Sequence, residues 1–348
     1  MRVADGPKNR SISLVVPGLL AQAPEAPSAP SLPGLLNLLT HAPVQATDGR
    51  CYEELLLSLF GIAIDADADL PIAPIARLGE GAPSTDGYWL RADPVHLYAD
   101  QARLLLFPSD TLAVQAHEAE QLGATIADWY GAAGWRLETP HPQRWYLRLP
   151  NKPEIRTHAL AVATGNDINA FLPYGEARAH WHAVLNEIQM LLHAHPVNTA
   201  REAQGLPCIN SVWFWGGGEL PRVSRPQFDR VYSAEPLATG LAKLAGIAAA
   251  LSPASLMAAT IDNNESLLIT LSTMSPALDD PARCAALARL ERDWFQPAVA
   301  ALKANRLAEL IIYPCDGHAY AITRARLRRF WQRRKTFRNY VQADRSNE

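Results

Sequence analysis

Cysteine is scarce in this chain and scattered: Cys51, Cys208, Cys284 and Cys315 form no C-x-x-C pair. That excludes a disulfide framework and a zinc finger, and it points to a reducing, cytoplasmic setting. Long apolar runs are missing too. None approaches the roughly 18–20 residues that a spanning helix requires, so no membrane insertion is expected. The short apolar stretch near the start runs straight into a proline-rich segment, and it reads as a core strand instead of a signal peptide. Basic charge is not in excess either: the net charge is −3, so the bulk composition points to no nucleic acid. G-x-S-x-G, H-E-x-x-H, G-x-G-x-x-G and P-loop patterns are all absent, which removes the motif-based routes to a serine hydrolase, a zinc protease and a nucleotide cradle.

What is present is core material. With 48% hydrophobic residues over 348 positions, the chain can bury two domains, or one large domain carrying an insertion. Residues 11–16, SISLVV, read as a strand ended by Pro17-Gly18, and five prolines between 17 and 33 make a loop with at most a short helix. Residues 51–62 are helical in pattern, with Gly61 as the stop. The stretch 63–87 is rich in Asp, Pro and Gly and reads as a crossing loop. The texture then changes. Segments 88–97, 103–107, 144–149 and 158–164 are strand-like, and 112–134 and 176–195 have helical spacing. INSVWFW (209–215) reads as a buried strand ending in three glycines. Strands and helices alternate afterwards through a long helix at 281–304 and a strand at 309–314, and the chain closes on a basic helix. Its two ends read as α/β layers and its middle as a separate α+β unit.

Few polar residues stand out as candidates. His180, His182, His193, His195 and Glu187 share one predicted helix without the three-or-four spacing of a metal pair, so they read as a wet helix face. Asn198, Arg201 and Asn210 precede Gly216, Gly217 and Gly218 and would suit the wall of a ligand cleft. Glycines after a buried strand either let a backbone nest meet an anion or allow close packing, and both readings are open. Asp316 and His318 follow a predicted strand end, where α/β proteins place ligands. Between Arg324 and Arg338 stand eight Lys or Arg residues and no acid, leaving the rest of the chain acidic. This stretch fits either a docking surface for an acidic protein or nucleic acid, or a docked helix that faces its arginines to solvent.

Taken together, DPVHL (93–97), RWYLRL (144–149), LNEIQMLLHAHPVN (185–198) and INSVWFWGGGELP (209–221) resemble the RpfE-type regulatory proteins. Beyond them the chain is similar to archaeal-type cofactor-independent phosphoglycerate mutases of the alkaline phosphatase superfamily. The resemblance implies an α/β fold with an alkaline-phosphatase-like core sheet flanked by helices and split by an inserted α+β domain. The expected limits are 1–88 for the first part of the core, 89–205 for the insert, and 206–348 for the second part of the core with the basic helix.

The same resemblance implies two divalent metals and a hydroxyl nucleophile, and this sequence departs from that. Pro17 stands where the first strand should deliver an Asp. Alignment on Leu57–Gly61 puts Tyr52 at the nucleophile and Glu53 at the acid. The strand SLLITLS is followed by no His and only a late Asp279-Asp280, and Asp316 and His318 alone resemble the terminal ligand motif. So few ligands cannot hold two cations against the cost of desolvating them. The expectation is a regulatory or binding module, without a cofactor, that senses a phosphorylated small molecule through Asn198, Arg201, Asn210 and Gly216–Gly218. The alternative is an active mutase or phosphatase with a rearranged site, in which Tyr52 is a phenolic nucleophile and Glu53, Asp316 and His318 hold the divalent metal.

Overall fold

The computed structural model describes residues 10–24, 29–84, 86–100, 103–223, 227–259, 265–274, 279–328 and 336–342. The chain divides into two compact units, Met1–Ala63 with Arg222–Glu348, and Ile64–Pro221. In chain order the first unit opens with β1 (Ser11–Val15), α1 (Pro33–His41), β2 (Val44–Ala46) and α2 (Tyr52–Leu59). The second contains α3 (Ile72–Gly79), β3 (Tyr88–Asp100), β4 (Arg103–Pro108), α4 (Ala116–Tyr130), β5 (Arg136–His141), β6 (Arg144–Leu149), α5 (Leu160–Ala163), α6 (Arg178–His193), α7 (Pro196–Ala203) and β7 (Ser211–Gly218). The first unit resumes with β8 (Arg230–Tyr232), α8 (Pro236–Leu244), β9 (Ala248–Ala250), β10 (Ser266–Thr270), α9 (Asp280–Leu290), α10 (Gln296–Lys303), β11 (Glu309–Tyr313), β12 (His318–Thr323), α11 (Arg324–Leu327) and α12 (Phe337–Gln342).

The first unit is built on a seven-stranded sheet of order β2-β12-β11-β1-β10-β8-β9. β1 lies between β10 and β11 and is parallel to both. A strand covered on both faces reads as a nearly unbroken apolar run, and SISLVV is one. Ile12 and Leu14 join Leu35, Leu38, Ile269, Phe295, Leu302 and Ile312 in one core cluster. One polar contact locks the helices of this core. Leu32, at the N-terminus of α1, supplies no side-chain cap. Instead the buried Glu291 carboxylate, from the wide turn joining α9 and α10, accepts from Gly34 N at 2.6 Å and Leu35 N at 2.9 Å. It satisfies orphan donors and meets the positive end of the helix dipole. The long helix expected at 281–304 is therefore α9 and α10 joined by that turn.

The second unit holds a five-stranded sheet in which β3 pairs with β4, β6 and β7, all antiparallel, and β6 pairs with β5. Here the expected limits need correction. The expected limits put INSVWFW in the core from 206 onward, yet β7 pairs with β3 inside the inserted unit. Residues 64–88 also belong to the insert, since α3 packs against β3 and β7. The boundaries thus fall at 63/64 and 221/222 instead of 88/89 and 205/206. The strand expected at 158–164 is a single helical turn, α5.

Of the basic helix expected at 324–338, α11 and part of α12 are seen, and residues 329–335 lie outside the described residues. Leu327 and Phe337 pack against the core, and the Tyr340 hydroxyl meets Thr40 Oγ1 at 3.2 Å. No helix among the described residues is long and apolar enough to cross a membrane.

Candidate functional site

In a parallel α/β sheet, ligands collect at the carboxyl ends of the strands. In the first unit those ends carry Pro17 after β1, Ser233 after β8, Thr270 closing β10 and Asp316 after β11, with the N-terminus of α2 delivering Cys51, Tyr52 and Glu53. The end of β1 is held by backbone bonds on both sides. Val16 N donates to Tyr313 O at 2.9 Å, and Met274 N donates to Pro17 O at 2.8 Å. Arg283, 1% exposed, ties down the following turn by donating to Gly18 O and Gln22 O, while its Nη1 is buried without a hydrogen-bond partner.

The polar groups gathered here are mostly hydroxyls. Thr270 Oγ1 donates to Ser233 Oγ at 2.6 Å, and Ser233 Oγ accepts from Glu235 N at 2.9 Å. Beside them lies the phenol of Tyr52, its oxygen sealed from solvent and closing a well-formed hydrogen bond to neither. Burial drives the Tyr52 phenol well above its ordinary titration range, and the Glu235 and Glu53 charges push it the same way. An un-ionised phenol of this kind is a poor nucleophile at neutral pH. Burial likewise raises the Glu53 carboxyl above its ordinary value, and the nearby Glu54 and Glu235 charges add to the effect. The Cys51 thiol is pushed up to about 12, chiefly by burial.

Asp316 and His318 form a local turn: His318 N donates to Asp316 Oδ1 at 3.0 Å, and the imidazole Nδ1 stands 3.5 Å from the same oxygen. Cys315 precedes them at φ +65°, and the Thr47 N–H donates to Gly317 O. Among the described residues, no three His, Cys, Asp or Glu side chains converge in a way that would hold a metal ion. The donors at the ends of β8 and β10 are neutral hydroxyls, whereas a pair of hard divalent cations asks for several carboxylates and imidazoles. The described side chains do not fit a two-metal centre. Next to Thr270 opens a groove of about 1040 Å³, lined by Glu235, Ser252, Ser272, Thr273, Arg289 and Trp294 among others.

The other expected ligand residues lie in the inserted unit and are committed to the chain itself. Asn198, 1% exposed, donates to Leu192 O and Ile209 O and accepts from Ile209 N. Arg201, also 1% exposed, donates to Pro207 O, Glu118 Oε2 and Leu112 O. Each of its three nitrogens is used. The arrangement supports a role in binding α7 to the start of α4, where Glu118 also accepts from Gln115 N, and the side chain is shielded from solvent there. Asn210 clamps the backbone of β3, accepting from Leu97 N and donating to Leu97 O. Gly216, Gly217 and Gly218 are buried in β7, where Cβ atoms would lie 2.9 Å from Ile72 Cβ, 2.5 Å from the Tyr88 hydroxyl and 2.6 Å from Pro71 Cβ. Of the two readings open from the sequence, close packing is the one these contacts favour.

The histidines of α6 and its end disperse. His182 bonds to Pro173 O, His195 reaches Thr125 and caps α7, and Glu187 accepts from Tyr130. Ser233, Thr270 and Arg283 carried no sequence signal. Single hydroxyls and one arginine in ordinary strand and helix patterns become notable only when the sheet brings strand ends together.

No protein-family model matches the chain. A stretch of 89 residues, 24% of this chain, is 35% identical to a 2,3-bisphosphoglycerate-independent phosphoglycerate mutase of Methanothrix thermoacetophila and covers 22% of that protein. A probable enzyme of the same name from Geobacter sulfurreducens is 32% identical over 131 residues, covering 36% of this chain and 31% of its own. These relatives are phosphoglycerate mutases. The matched stretches span less than a third of the relatives' length. Among solved structures, the PH0037 protein from Pyrococcus horikoshii superimposes with a TM-score of 0.56 at 15% identity, covering 91% of this chain and 87% of that one. The fold expected from the sequence stands: an α/β, alkaline-phosphatase-like core sheet flanked by helices.

Proposed function

We propose that this chain is a degenerate relative of the phosphoglycerate mutases that binds a phosphorylated small molecule without transferring its phosphoryl group, as a regulatory module of the RpfE type. One observation carries the reading. At the carboxyl ends of β1, β8 and β10 stand Pro17, Ser233 and Thr270, beside a Tyr52 phenol whose ionisation burial suppresses. Phosphoryl transfer asks for a charged nucleophile and for cations to neutralise the group in flight. The groove next to Thr270 is largely apolar and carries Glu235 and Asp293, but Ser252, Ser272, Thr273 and the guanidinium of Arg289 on its wall supply donors for a phosphorylated ligand. The basic segment 324–338 is proposed to meet an acidic protein or nucleic acid, in which case that association weakens steeply with added salt.

The test uses 3-phosphoglycerate as probe. Calorimetry is expected to show saturable binding that weakens in Arg289→Ala. A coupled assay with Mn²⁺ is expected to show no mutase or phosphatase turnover, and desalted protein to retain no stoichiometric Mn²⁺. Metal-dependent turnover that disappears in Tyr52→Phe would reverse the conclusion and establish a rearranged active site.

A further inference from the structure

One row of the inserted sheet carries charge that the protein does not neutralise. Trp89 in β3, Arg148 in β6 and Arg136 in β5 are consecutive partners across the three strands, so all three side chains stand on one face. Directly opposed side chains have Cβ atoms about 4.5–5.5 Å apart, and like charges so placed are destabilising. Among the described residues, neither guanidinium forms an ion pair with an acid. Arg148 donates from Nε to the main-chain Asp86 O at 3.3 Å, and Arg136 forms no ion pair or hydrogen bond among the described residues. The neighbouring arginine on this face is treated differently. Arg77 lies over the Trp89 ring at 4.0 Å, and its Nε and Nη2 donate to Glu138 at 2.6 and 2.8 Å. Glu138 is thereby consumed.

The unpaired arginines border a cavity of about 450 Å³, lined by Arg77, Ser84, Asp86, Trp89, Arg136, Glu138 and Arg148. The backbone makes room for one of them. Gly87 adopts φ +120°, and a Cβ there would lie 2.8 Å from Arg148 Nε. A larger residue at that position would be strained and would crowd the guanidinium that the 86–87 backbone cradles.

We propose that this cavity binds a compact oxyanion, the phosphate group of a phosphate monoester, held between the guanidiniums of Arg136 and Arg148. A dianion between the two arginines would turn their mutual repulsion into two charge-assisted contacts, and the planar guanidinium fork matches phosphate geometry. Asp86 and Glu138 on the rim, with Arg77 already paired, set a limit. The cavity accepts one small anionic head and disfavours a polyanionic surface. The proposal concerns residues of the inserted unit alone and stands whether or not the groove beside Thr270 binds anything.

Inorganic phosphate is the probe, with affinity read by calorimetry and the melting temperature read in parallel on the full chain. The wild type is expected to bind phosphate saturably and to melt higher in its presence. Arg136→Gln and Arg148→Gln should each weaken binding about tenfold or more, the loss expected when a charged hydrogen bond is removed. Without phosphate, the same variants should melt no lower than the wild type, because a like-charge pair has been relieved. Arg103→Gln, which removes an exposed arginine of the same unit paired only with Asp100, should leave affinity unchanged. Equal phosphate affinity in the wild type and both Gln variants would overturn the assignment, as would the absence of phosphate-dependent stabilisation. Binding abolished by Arg289→Ala but kept by Arg136→Gln would move the anion to the groove beside Thr270, overturning this proposal while sustaining the earlier one.

Discussion

The cluster around Asp93 in the inserted unit and the strand ends of the core sheet treat buried polar groups in opposite ways. In the insert, Asp93 is 1% exposed and fully engaged. It accepts from Arg91 Nε and Nη2 at 3.0 and 2.7 Å, from Trp215 Nε1 at 2.7 Å and from Trp145 N at 3.3 Å. Arg91 is flanked by the Tyr146 and Trp215 rings, its guanidinium carbon 5.1 and 5.2 Å from their centroids. Around the end of β1 in the core unit, the Tyr52 oxygen and Arg283 Nη1 are buried without hydrogen-bond partners, and Glu53 is held in surroundings that disfavour its charge. Unmade hydrogen bonds cost stability, so they persist where something other than packing is being served. Satisfied networks fix the scaffold, and the unmade bonds of Tyr52 and Arg283 lie at the strand ends where the ligand is proposed to bind.

This contrast can be broken experimentally. The largest effect is expected from Asp93→Ala, which strands a buried guanidinium. Chemical denaturation should show a loss of about 3–5 kcal/mol, and a loss below 1 would mean that the network relaxes or admits water. Gly216→Ala comes next, at about 1–3 kcal/mol. Gly216 has φ +65°, and the added methyl would sit 2.9 Å from Ile72 Cβ.

Glu53 gives a pH signature. Its folded carboxyl titrates above the ordinary 4.5, so the folded state holds the proton more tightly than the unfolded chain. Stability from this group is therefore present at low pH and is lost as pH rises through the folded value. Glu53→Gln removes that loss. The stability gap between variant and wild type should open in favour of the variant as pH increases, and melting curves across this range showing a constant gap would contradict it. The smallest effect belongs to Tyr52→Phe. Removing an oxygen that makes no hydrogen bond should leave stability within about 1 kcal/mol, with any change a gain, whereas a clear loss would reveal a partner for the phenol.

Much of the architecture was legible along the chain because it depends on local periodicity. The apolar run at 11–16, the helical spacing over 112–134, within which α4 forms, and the stop at Gly61, which has φ +70°, all follow from short-range pattern. The limits of the insert did not follow, because they are set by pairing of β7 with β3 and by packing of α3 on β7, contacts between segments more than 100 residues apart. The polar residues of the insert depend on the tertiary structure for the same reason. Asn198, Arg201 and the three glycines look like a ligand loop in sequence, and their burial shows donors engaged by backbone and carboxylate and Cβ positions already filled.

By itself, then, the sequence determined the α/β class and the change of texture that marks a separate unit in its middle, both properties of short-range period. That Pro17 and Tyr52 stand where a metal ligand and a nucleophile belong is what the family resemblance implies. The tertiary structure alone decided which polar groups are left unpaired. It put Ser233 and Thr270 beside Tyr52 at the strand ends and set Arg136 against Arg148 across a sheet. Whether a buried donor is satisfied depends on what the fold carries to within three ångströms of it, and no local pattern encodes that distance.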